Sequence, residues 1–221
     1  AILPVKEFKE NEFIMMVTRK GIIKKTPLSG FSNVRNSGII ALTTDDGDEL
    51  VRACITNGAQ DIFLCSKEGM SIRFREEDVR PMGRAARGVI GMSLDPNHQV
   101  VAMEVLERSE ADGGASKHEV LTVTDGGYGK RTPVTEYRTQ SRGGKGIITM
   151  KTNDKNGFVM GSRQVLGEND VMLVSNKGQM IRIHVAGISE QGRNTQGVRL
   201  MTLSEGERVM FFEMIAEKDP G

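Results

Sequence analysis

Four segments of this sequence align on a single glycine. FIMMVTRKGIIKKTPLSGF (13–31) matches HEVLTVTDGGYGKRTPVTEY (118–137), and DIFLCSKEGMSIRFREEDV (61–79) matches NDVMLVSNKGQMIRIHVAGI (169–188). The shared glycines are Gly21, Gly69, Gly127 and Gly178, at intervals of 48, 58 and 51 residues. A second glycine follows in NSGIIAL, ARGVIGM, GKGIITM and TQGVRLM, at Gly38, Gly88, Gly146 and Gly197, 17 or 19 residues after the first. A further apolar segment closes each unit: LVRACIT, VVAMEVL, FVMGSRQV and RVMFFEMI. A repeat of this length is one supersecondary unit that buries its apolar face only against its neighbours. The interval suits a propeller blade and is too long for a leucine-rich or ankyrin unit.

Within each unit the pattern predicts strand, tight turn, strand, basic loop, strand, turn, strand. Segments such as IMMVT and VMLVS are short, apolar and bounded by Lys-Gly, Glu-Gly or Gly-Gly, which are hairpin signals. No window sustains a helical period. The expected fold is therefore all-β, a propeller-like array of four four-stranded blades in one domain over 1–221, with repeats at about 13–60, 61–117, 118–168 and 169–217. AILPV (1–5) stands where a closing strand belongs, so the chain reads as part of a longer array that begins inside an earlier blade.

Charge is informative by position and not by total. With 30 Lys plus Arg against 29 Asp plus Glu, the net charge of +1 neither requires nor excludes a nucleic-acid partner. The cations recur in phase. Lys24, Lys25, Arg73, Lys130, Arg131 and Arg182 leave the first glycine, and Arg35, Arg80, Arg84, Arg87, Arg138, Arg142, Lys145 and Arg193 occupy the loop before the second. Most acids cluster elsewhere, as at Asp45, Asp46, Asp48 and Glu49; Glu76, Glu77, Asp78 and Glu136 break the rule. Cations placed alike in successive blades can neutralise successive phosphates of a duplex, and glycines such as Gly143 and Gly144 let the backbone approach and donate. Such contacts hold DNA without reading its bases. Ordinary solvated turn residues are the competing reading.

Other chemistries lack their residues. Gly144-Lys145 is followed by Gly146, and Gly129-Lys130 by Arg131, so neither completes a phosphate loop for a nucleotide. His98, His118 and His184 are isolated, no serine lies in a nucleophile elbow, and the paired carboxylates lie in turn-like loops. Cys54 and Cys65, the only cysteines, read as buried thiols and not as zinc ligands. Tyr137, matching Phe31, reads as a packing residue. No apolar run reaches the ~18 residues of a membrane span, and no signal segment opens the chain. A soluble, cytoplasmic protein without membrane contact is expected.

The units IMMVTRKGIIKKTPLSGF, TDGGYGKRTPVTEY, DDGDELV and SEQGRNTQGVRLM closely resemble the C-terminal domain of bacterial DNA gyrase A, over essentially the whole chain. The resemblance implies a β-pinwheel whose blades exchange a strand with their neighbours, here the last four of the family's usual six. It implies a domain that wraps double-stranded DNA and presents it for ATP-dependent negative supercoiling. That would place it with the rest of gyrase A and with gyrase B in an A2B2 enzyme, nucleoid-associated in the cytoplasm. The domain itself would be non-catalytic and hold no cofactor, ATP and Mg belonging to other domains. The family's box, Q-R-R-G-G-[RK]-G, is matched at six of seven positions by Gln140, Ser141, Arg142, Gly143, Gly144, Lys145 and Gly146. Ser141 replaces an arginine, and the third repeat is not the family's place for the box, so this is a box-like relative. The equivalent domain of topoisomerase IV, and a propeller serving as a protein-interaction scaffold, are the alternatives.

Overall fold

The computed structural model describes residues 2–33, 35–108 and 118–215. Ala1, the end of the second repeat (109–117) and residues 216–217 of the fourth lie outside them. Each tight turn is a hairpin. β1 (Phe13–Thr18) and β2 (Ile22–Pro27) are followed by β3 (Leu50–Thr56). The second repeat supplies β4 (Asp61–Ser66), β5 (Met70–Arg75), β6 (Val89–Ile90) and β7 (Val100–Leu106). The third supplies β8 (Glu119–Thr124), β9 (Tyr128–Pro133), β10 (Ile147–Ile148) and β11 (Val159–Val165). The fourth supplies β12 (Asp170–Ser175), β13 (Met180–His184), β14 (Val198–Arg199) and β15 (Val209–Ile215). A short 3-10 turn follows every hairpin, at Leu28–Phe31, Glu76–Asp78, Val134–Glu136 and Val185–Gly187.

The sheets do not follow the repeat boundaries. Their strand orders are β3-β1-β2-β6, β10-β5-β4-β7, β11-β8-β9-β14 and β13-β12-β15. The short strand around each second glycine has left its own repeat for the hairpin of the repeat before it, as the resemblance implies. Two expected strands are missing. Gly38 to Leu42 form none, because among the described residues no hairpin precedes β1 to receive them. The fourth sheet accordingly has three strands, since no described segment follows to add to β13. Residues 2–5 are not a strand either: a closing strand needs a hairpin beside it, and they pair with none.

The chain divides into two compact units. Unit 1 takes in Ala1–Leu64, Ser71–Arg108 and Thr139–Gly146; unit 2 takes in Cys65–Met70, Ser109–Arg138 and Ile147–Gly221. In unit 1 the inward faces of the strands bury Met15, Val17, Ile23, Leu64, Ile72, Phe74, Met92 and Met103. In unit 2, Leu121, Val123, Val165, Val171, Leu173, Val185, Met201, Val209 and Phe212 form one cluster. The central strands are covered on both faces, so β4 and β8 are buried along their whole length. The third-repeat tyrosine fills its unit as a packing residue: Tyr137 is buried, and its hydroxyl lies 2.7 Å from Thr149 Oγ1. Cys65 is buried, and burial pushes its thiol up to about 12, whereas Cys54 is only half-buried.

Candidate nucleic-acid interface

The cations three positions after the first glycine point inward. Lys24 and Lys130 have no exposed surface. Lys24 Nζ donates to the carbonyls of Ala41, at 2.8 Å, and of Arg84. Lys130 Nζ donates to the carbonyls of Gly192 and Arg193, both at 2.6 Å, and to Thr195 Oγ1 at 3.0 Å. Burial holds both ammoniums below the usual lysine range, Lys130 at about 8, with Arg84 and Arg193 adding repulsion. These two lysines, expected at phosphates, are instead clips that hold the basic loop of a later repeat. Their charge is spent on backbone carbonyls.

The cations one position further on are neutralised within the protein. Lys25 is buried against Glu76, 2.9 Å away, and lies over the Phe13 ring. Arg73 meets Asp61 at 2.8 Å, Arg131 meets Glu119, and Arg182 Nε meets Asp170 at 2.8 Å. Each of these three acids opens the first strand of its hairpin, 12 residues before its arginine. In the first repeat Phe13 stands at that place, and the acid comes from the next 3-10 turn. Lys25, Arg73 and Arg131, expected at phosphates, are held in ion pairs within the chain. Arg182 keeps most of its surface exposed, and Asp170 also accepts from His184.

The loops before the second glycines are where cations reach solvent. In unit 1 the box-like loop is fixed at nearly every residue. Gln140 N donates to Arg73 O at 2.8 Å, Gly143 N to Gly91 O at 2.7 Å, and Ser93 N to Gly144 O at 3.0 Å. Arg142 stays half-buried, with Nε on Asp78 O at 2.8 Å and Nη1 on Ile90 O at 3.0 Å. The Gly143 N–H is therefore occupied internally, while the backbone of Gly144 is exposed. The Gln140 amide nitrogen is buried without a hydrogen-bond partner. Lys145 extends outward, 71% exposed, with its ammonium 2.7 Å from Asp95. Arg87 is exposed and forks onto Asp45; Arg35 and Arg80 are exposed, and the carbonyl of half-buried Arg84 is held by Lys24.

Unit 2 repeats this scheme. Arg138 is exposed, and Arg193 Nη1 donates to Ile148 O at 3.0 Å, as Arg142 does to Ile90. The Arg193 backbone N–H is held by Glu136 at 3.1 Å. A cationic group that sequence reasoning passed over also lies here. Arg199 donates to the Tyr128 hydroxyl at 3.2 Å and covers its ring, and Lys155 lies over the same ring. Arg199 holds that hydroxyl below its ordinary range. Its signal in the sequence is the odd residue of GVRLM, where the other repeats carry isoleucine. Among the described residues no three His, Cys, Asp or Glu side chains converge as a metal site.

Comparison with known families matches 12–57, 60–107, 118–165 and 169–216 to the DNA gyrase C-terminal domain, a β-propeller. The chain belongs to this gyrase family. Each matched segment spans one hairpin, one basic loop, and one closing strand. DNA gyrase A of Klebsiella oxytoca is 42% identical over 217 residues, and that of Salmonella typhimurium 43%. The counterpart from Staphylococcus epidermidis is 41% identical over 219 residues. The match takes in 98–99% of this chain, which spans about a quarter (24%) of the length of these relatives. Among solved structures, a DNA gyrase A C-terminal domain superposes with a TM-score of 0.82 at 23% identity, covering 96% of this chain and 68% of the other. The C-terminal domain of a DNA topoisomerase IV superposes at 0.87 with 24% identity, covering 96% and 64%. At those identities the superpositions establish the fold alone.

Proposed function

We propose that this gyrase-family chain binds and wraps double-stranded DNA without reading its sequence, as a non-catalytic module of a DNA gyrase. The observation that carries the reading is the fixed basic loop. Lys145 extends its cation to solvent from a loop tied at Gln140, Gly143 and Gly144, and Arg35, Arg87, Arg138 and Arg182 are exposed as well. A loop held in place before binding loses little conformational freedom on meeting a phosphate. Lysine and arginine reaching phosphates release counterions, which favours association with any duplex. Among the described residues the helical segments are single 3-10 turns, too short to enter a major groove, so backbone contact is the mode these residues suit.

In the whole enzyme the module would deliver wrapped DNA to strand passage driven by ATP, with Mg and nucleotide held by other domains. Its partners would be the remainder of gyrase A and gyrase B in an A2B2 assembly in the cytoplasm. Sequence likeness at 41–43% to gyrase A proteins supports gyrase over topoisomerase IV. Wrapping is tested by relaxing closed circular DNA with a type I topoisomerase while the chain is bound. A shift in linking number after protein removal is expected, and unchanged linking at saturating protein contradicts wrapping.

A further inference from the structure

Two of the surface cations are held by a carboxylate in the same relation. Arg87 and Lys145 stand immediately before the second glycine of their repeats, Gly88 and Gly146. Asp45 and Asp95 stand seven residues after the second glycine of the repeat before, Gly38 and Gly88. Arg87 forks onto Asp45, with Nε 2.6 Å from Oδ1 and Nη2 on Oδ2. Lys145 Nζ lies 2.7 Å from Asp95 Oδ1. The two positions change together one repeat further on. Asn153 follows Gly146 by seven residues and Gln196 precedes Gly197, so both members are neutral there. Cation and acid therefore occur as a set.

Folding stability does not account for the set. All four charged side chains are at least 40% exposed. An ion pair open to water on both sides adds little to stability. The pairs of Arg73 with Asp61 and Arg131 with Glu119 differ, being largely withdrawn from water within their hairpins. The acid-bearing turns are also fixed without their carboxylates. Lys20 N donates to Asp48 Oδ1 at 2.9 Å, Lys20 Nζ to Asp46 O at 2.6 Å, and Arg19 Nη2 to Gly47 O at 3.1 Å. In the next turn His98 N donates to Asp95 O at 3.1 Å. The hydrogen bond from Arg87 holds Asp45 below the usual carboxylate range, and that from Lys145 does the same for Asp95.

We infer that Asp45 and Asp95 stand in for DNA phosphates at the cations they hold, so that a duplex binds by displacing them. This rests on the reading of the chain as a duplex binder. A carboxylate offers a guanidinium the same two-oxygen face as a phosphate does. Each acid thus occupies the side of its cation that a phosphate needs, and lowers the affinity for DNA. A duplex displaces both because its phosphates act together and release their counterions, whereas a lone anion offers a single contact. The acids therefore favour a polyanion over small anions and ease its release.

The test is a double-mutant cycle on the full chain, read by equilibrium binding to a linear duplex. Asp95→Asn should tighten binding about two- to fivefold, the strength of an exposed ion pair, with the largest gain at low salt. In a Lys145→Ala background the same change should lose that gain. Asp45→Asn should behave alike, with Arg87→Ala as its background. Gains of equal size in both backgrounds would mean a general effect of net charge and overturn the inference. Unchanged affinity in both aspartate variants overturns it too, while leaving duplex binding intact. Absence of duplex binding by the unmodified chain at low salt overturns the DNA reading itself, and this inference with it.

Discussion

Lys130 illustrates how little residue type alone reveals about a cation. Its Gly-Lys-Arg setting in the sequence reads as a solvated turn, yet it lies in β9 with its ammonium buried on three acceptors. The clue was the alternation of that position with Ile72 and Ile181, which marks it as inward-facing. Lys130→Ala should destabilise the chain by about 2–4 kcal/mol in urea unfolding, from a cavity and unpaired carbonyls. Lys145→Ala should stay within about 0.5 kcal/mol, as an exposed site does. By NMR of the lysine side chains, Lys130 should titrate at about 8, against the ordinary value of 10.5. Between those values the unfolded chain holds the extra proton, so this group's contribution to stability rises with pH across that window and is flat below it. A lysine titrating with the exposed ones would contradict the burial argument.

Hairpins, basic loops and closing strands were all legible at the scale of elements, because turn glycines and short apolar runs report local structure. The expected all-β, propeller-like pinwheel is what the strands form, and the family match agrees. The partner of each short third strand was not readable from residues alone, since pairing across repeats is non-local; the family resemblance supplied it. The ion pairs were missed for a related reason. Asp61, Glu119 and Asp170 look like strand-start residues until a hairpin brings their arginines back beside them. The joint between an exchanged strand and its hairpin, where the Thr149 and Met150 amides both donate to Gly69 O, can be isolated by two glycines of like conformation, compared by denaturant unfolding. Gly178→Ala should cost about 1–2 kcal/mol, the strain of a left-handed residue alone. Gly69→Ala should cost about 1–3 kcal/mol more, because its Cβ runs into the Met150 carbonyl. Equal costs would mean that the joint is not tightly packed.

For the molecule as a whole, the net charge of +1 conceals a sorting of cations into two populations. Lys24, Lys25, Arg73, Lys130 and Arg131 are used internally, and Arg35, Arg87, Arg138, Lys145 and Arg182 remain at the surface. The sequence placed both kinds in phase and could not separate them, because burial is decided by the folded sheets. The proposal that the surface set binds duplex DNA through its phosphates is tested most directly by salt. Equilibrium binding of the chain to a linear duplex, measured across several salt concentrations, should give a log–log slope of about −4 to −5 if roughly five phosphates are neutralised. Lys145→Ala should reduce that slope by about one unit on every duplex sequence. A slope near zero, or a loss confined to one sequence, would contradict the account.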